Sequence, residues 1–136
     1  MLFEYEVAIP ANTLANAPVV QTLKLTKGII HKIEITGDGG EHSLVKVALT
    51  EDGHQAFPTN PDGQFHPHWF PIAYDVYHPL QEAPYQLKAR AWSPGTTYDH
   101  SCIVRIGIER WHLLELARDV LSVINKLKSV FFGSKG

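Results

Sequence analysis

Two histidines, His66 and His68, stand two residues apart in the stretch GQFHPHWFP (residues 63–71), among two prolines and three aromatic side chains. Imidazole nitrogens are common metal ligands, and on an extended segment residues i and i+2 point to one side. A metal would need one or two further ligands from elsewhere, for which Asp62, His78 and His54 are the candidates. The chain has no HExxH, no carboxylate triad and no second close histidine pair. The expectation is therefore a rigid proline-rich contact loop, with no metal and no cofactor. A metal-dependent enzyme using this histidine-rich loop is the third reading.

Other stretches with chemical potential resolve in the same direction. Asp99, His100 and Ser101 spell out a triad composition, but consecutive residues entering a strand point to alternate faces and do not converge on one nucleophile. Asp99 is expected to close the turn SPGTTYD. FPTNPDG (residues 57–63) has Asn60 and Asp62 beside Gly63, yet lacks the regular oxygen ligands and closing Glu of a calcium loop. It reads as a proline-started turn in which Asn or Asp caps the backbone and Gly63 takes a positive φ. Cys102, the single cysteine, excludes an internal disulfide and any multi-thiolate cluster, and is expected as a small buried hydrophobe. No phosphate-cradling glycine motif, GxSxG elbow or paired-cysteine redox motif is present. No catalytic residue is assigned, and the chain reads as a non-enzyme.

The aromatic residues Phe65, Trp69, Phe70, Tyr74, Tyr77, Tyr85, Trp92 and Tyr98 crowd the middle and later chain. They suit a core or a protein interface. A sugar face can also stack on an exposed ring, so a carbohydrate-binding module is the alternative, with Trp69 and Trp92 as its test rings.

The elements that position these residues follow from periodicity. LFEYEVAI, PVVQTLKL, IIHKIEIT and SLVKVALT alternate or are β-branched, with turns at TKG and GDGG between them. EDGHQAF supplies a turn and a short strand. Prolines in PTNPDGQFHPHWFP forbid helix and central strand, making it the longest loop. IAYDVYH, YQLKARAW and HSCIVRIGI are three more strands. Seven or eight short strands with regular turns predict a mainly β fold, an antiparallel, jelly-roll-like β-sandwich over residues 1–108.

Over residues 109–132 the period changes. Leu113, Leu116, Val120, Val123, Leu127 and Val130 recur at three- and four-residue spacing, and Leu114, Ala117, Leu121, Ile124 and Phe131 widen the stripe. This predicts a C-terminal amphipathic helix, with acidic residues early and lysines late in the sense that suits helix ends. So broad an apolar surface needs covering, by its own sheet, by helices of other copies or another protein, or by a membrane interface. Few basic residues on the polar face weaken the membrane option.

Twelve Lys and Arg against fourteen Asp and Glu give a net charge of -2, and no segment gathers basic residues into a stripe with interleaved aromatics. Direct nucleic-acid binding is not expected on that ground. Eight histidines would turn the net charge positive below about pH 6. The start, MLFEYEVAIPA, carries Glu4 and Glu6 where a secretory signal needs a basic start and an apolar run, so it reads as mature protein. No plain membrane span is visible, and membrane association is not expected.

HKIEITGDGG, GHQAFPTNPDGQF and YQLKARAWSPGTTYDHSCIVRIGI, in that order, resemble small β-sandwich structural proteins of virus particles, in particular auxiliary or decoration proteins of tailed-phage heads. The likeness is one of overall style across residues 19 to 108, and it carries no functional residue across. It implies a capsid-associated virion protein, a homo-oligomer that stabilises a larger shell protein through many weak contacts. The long helix departs from a bare decoration sandwich. The residues expected at the interface are Phe65, His66, His68, Trp69, Phe70, Leu113, Leu116, Val120, Val123, Leu127 and Val130.

Overall fold

Alternation along the chain becomes inside and outside in the structure. The computed structural model describes residues 1–40 and 44–132, and the side chains of residues 111–115 and 132 lie outside that description. It contains β1 (Leu2–Ile9), β2 (Val19–Lys24), β3 (Gly28–Gly37), β4 (Lys46–Glu51), β5 (His54–Phe57), β6 (Ile72–Leu80), β7 (Gln86–Trp92), β8 (His100–Glu109) and one helix, α1 (Trp111–Phe132). In β1, Val7 and Ile9 are buried while Glu4, Glu6 and Ala8 are exposed. In β8, Cys102, Val104, Ile106 and Ile108 point inward.

The strands form two four-stranded antiparallel sheets, ordered β1-β8-β3-β6 and β2-β7-β4-β5. Each strand of the first half pairs with its mirror in the second: β1 with β8, β2 with β7, β3 with β6, β4 with β5. The chain is thus one long hairpin rolled over itself, the jelly-roll arrangement expected from the strand count. Between the sheets lie Ile9, Leu23, Ile33, Leu49, Leu87 and Ile106, each no more than 2% exposed.

Two turn expectations separate here. At the tip of the roll, Asp52 (φ 49°) and Gly53 (φ 81°) form the two-residue turn between Glu51 and His54, since primed turns need positive φ at both positions. Gly63, expected to take a positive φ, does not. Its place is tight instead: a Cβ there would lie 2.5 Å from Asn60 Nδ2, so the Asn60 side chain would have to shift to admit one. β3 departs from strict alternation at His31, where the register shifts between Ile30 and Lys32 against both neighbours.

The charges of α1 do not serve its ends. Its first turn holds no acidic residue and its last turn no basic one, and the helix-dipole effect fades beyond the terminal turns. Asp119, Lys126 and Lys128 sit in the body of the helix, free for other contacts.

Candidate functional site

The loop of residues 58–71 is a strap between the sheets. Gln55 Nε2 donates to the carbonyls of Pro58, Asn60 and Gly63 at 2.9, 2.9 and 3.0 Å, which gathers the loop's first half. Phe65 N–H donates to Val47 C=O (2.8 Å) and Val47 N–H to Phe65 C=O (2.9 Å), so the loop pairs briefly with β4 of one sheet. Gly37 N–H then donates to His68 C=O, fastening it to β3 of the other.

Within the strap the expected interface residues part company. Phe65 turns inward against the core, 5.1 Å from the Tyr74 ring. His66 is exposed, and His68 is half-buried with its ring stacked on Phe70 at 5.2 Å and 3°. Phe70 is exposed, and Trp69 stands 75% exposed, while Trp92 is half-buried on β7. Two of the other candidate ligands engage partners of their own, and the third, His54, is exposed at the start of β5. His78 contacts Glu51 and lies edge-on to Phe57 at 5.2 Å, and Asp62 accepts from Asn60 Nδ2 at 3.1 Å. Among the described residues no three His, Cys, Asp or Glu side chains gather as a metal-holding group.

Asp99, His100 and Ser101 do not act as a trio, and their partners come from elsewhere. Asp99 Oδ1 accepts from Ala11 N–H (2.8 Å), so it ties its turn to the one after β1 rather than only closing its own. His100 Nδ1 lies 3.0 Å from Asp38 Oδ1, while Asp38 Oδ2 accepts from Ser101 N–H at 2.9 Å. This carboxylate orients the imidazole, an arrangement that sequence reading missed because 62 residues separate the partners. Asp38, Tyr98, Asp99 and His100 line an open groove of about 480 Å³. Gly39 lines it too, and a Cβ on that glycine would lie 3.8 Å from the Cβ of Trp69, which neighbours the groove without lining it. The carboxylates of Asp38 and Asp99 can bind sugar hydroxyls, and the exposed ring of Tyr98 can stack on a sugar face. Cys102 is buried beneath this end of β8, 1% exposed.

The third surface is α1. Every described side chain from Leu116 to Phe131 is exposed, and its eight large apolar residues are 42 to 69% exposed. Leu116, Val120, Val123, Leu127 and Val130 form the expected stripe, flanked by Ile124 and Phe131; the side chain of Leu113 lies outside the described residues. The sandwich does not cover this stripe. No helix among the described residues is long and apolar enough to cross a membrane.

No protein-family model matches this chain. No curated protein matches it either. The reading of its function therefore stands on these surfaces alone.

Proposed function

We propose that this protein is a non-enzymatic structural subunit of a multi-copy assembly, a virus particle or a similar shell, in which α1 of one copy is covered by α1 of another. One observation carries the reading: eight large apolar side chains of α1 stand exposed. A standard interface takes about 800 Å² from each partner, and the seven of these side chains on one face of the helix, all but Leu121, supply an area of that order.

The stripe also favours one direction of pairing. Val120 and Leu127 fall at heptad position a, Leu116, Val123 and Val130 at d, Ala117, Ile124 and Phe131 at e, and Asp119 and Lys126 at g. Antiparallel helices set g beside g and e beside e, so Asp119 of each copy meets Lys126 of the other while the opposite flank is wholly apolar. Parallel helices would set both charges against apolar e positions. Antiparallel pairing therefore satisfies all three rows. Repetition of modest contacts, including the exposed Trp69 and Phe70 of the strap against a larger shell protein, makes the assembly strong by multivalency.

Light scattering coupled to size exclusion, over a concentration series at neutral pH, tests this. The expected mass is an even multiple of 15.2 kDa. A monomer at all concentrations overturns the reading. The groove at Asp38, Tyr98 and His100 supports carbohydrate binding as the second reading. It is tested by titrating glycans against Trp69 fluorescence, with Trp69→Phe as control. Jelly rolls serve both shells and sugar-binding domains, so the fold alone does not choose.

A further inference from the structure

The two outer faces of the sandwich hold their charges differently. On the β1-β8-β3-β6 sheet the cations are matched: Arg105 lies 3.5 Å from Glu34 and 3.6 Å from Glu4, and Lys32 stands opposite Asp75 in the register. On the β2-β7-β4-β5 sheet Leu23, Leu87, Ala89, Ala91, Val47, Leu49 and Phe57 are buried on the core side, while Ala48 and Thr50, at outward positions of β4, are buried beneath their longer neighbours. Alternation then turns Lys24, Lys88, Arg90, Trp92 and Lys46 outward. The outward positions of these four strands hold no Asp or Glu, and among the described residues none of the four cations is in an ion pair. Asp52, in the turn after β4, borders the face beside Lys88 and Gln86.

The register arranges these cations in a line. Lys24 pairs with Gln86 and Thr22 with Lys88, Arg90 faces Ala48, and Trp92 faces Lys46. Lys24, Lys88, Arg90 and Lys46 thus run diagonally across β2, β7 and β4, with neighbours about 7–8 Å apart. The half-buried Trp92 ring stands beside the last of them. Three separate strands contribute, which is why no contiguous basic run is visible in the sequence.

We propose that this stripe binds single-stranded nucleic acid, the four cations tracking its phosphates and Trp92 stacking a base. Unmatched cations on a flat face, spaced at intervals a flexible phosphate chain can follow, with an aromatic platform at one end, are the parts such binding uses. Duplex recognition would need an element that enters a groove, and a flat sheet face supplies none. The proposal does not rest on α1 or on assembly.

The test is fluorescence anisotropy of the full chain with labelled (dT)12 between about 20 and 200 mM NaCl. Four phosphate contacts give a slope of log K against log salt of about -3. Lys88→Ala with Arg90→Ala should lower the slope to about -1.4, since two contacts remain. Trp92→Phe should weaken binding several-fold with the slope unchanged, and Lys32→Ala on the other sheet should change neither. Circular dichroism confirms that each variant is folded. Absence of binding at 20 mM NaCl overturns the proposal, as does binding that the Lys88 and Arg90 changes leave intact. Poly-glutamate that displaces (dT)12 at equal charge, with no effect of Trp92→Phe, also overturns it and assigns the face to an acidic protein.

Discussion

At the scale of single residues, the sharpest constraint lies where the sandwich hands over to the helix. Gly28 opens β3 against the last residues of β8, and a Cβ there would run into the Glu109 carbonyl oxygen and lie 2.6 Å from Ile108 Cγ2. Backbone cannot yield as a flexible side chain does. Gly28→Ala is therefore expected to cost about 1–3 kcal/mol, the range for overpacking a filled site, measured by urea unfolding. A change below 0.5 kcal/mol would mean that the strand ends part freely. Part of this scale was legible: Cys102 is the buried hydrophobe expected, whereas of the two tryptophans singled out together Trp69 is exposed and Trp92 half-buried, a difference composition does not show. Phe65 shared its neighbours' aromatic composition but faces the core, because one backbone pair with Val47 decides its direction. The Asp38–His100 and Glu51–His78 contacts were not legible, since 62 and 27 residues separate the partners and only the roll brings them together.

Elements were easier to read than their partners. Period two, helped by β-branched content at β3, gave seven or eight strands where the structure has eight, and the three-and-four spacing located α1, because each reports which positions meet water along one segment. Which surface covers α1 is not a local property, and three hosts stay open in the sequence; in the structure the chain's own sheets leave the described side chains, Leu116 to Phe131, exposed. The basic stripe escaped for a related reason: alternation hides one residue in two, and pairing of β2, β7 and β4 assembles the rest. For α1, orientation makes a sharp prediction. Asp119→Lys alone, or Lys126→Asp alone, should weaken self-association about tenfold, as each places like charges together at two symmetric sites. The two changes combined should restore it, which sedimentation equilibrium would show. If the double variant stays as weak as either single one, the helices do not pair antiparallel through these residues.

On the scale of the whole molecule, the proposed assembly role of the helix predicts that folding and association can be separated. Among the described residues, the twenty of the buried hydrophobic core lie between Val7 and Ile108, and no described side chain of α1 is one of them. The described core of the sandwich thus draws on no described side chain of the helix, and the apolar side chains of α1 from Leu116 to Phe131 stand uncovered by the sandwich. Removal of everything after Glu109 should leave the β-sheet circular dichroism and a cooperative urea transition in place while reducing the solution mass to that of one copy. Heating separates these roles further. Association that stabilises only the folded state makes Tm rise with protein concentration, by mass action. For the full chain Tm should therefore climb over a hundredfold concentration range, and for the shortened chain it should stay fixed. A shortened chain that retains the oligomeric mass would move assembly to the strap or a sheet face. One that loses its cooperative transition would show that the helix, bare as it stands, contributes to the sandwich after all.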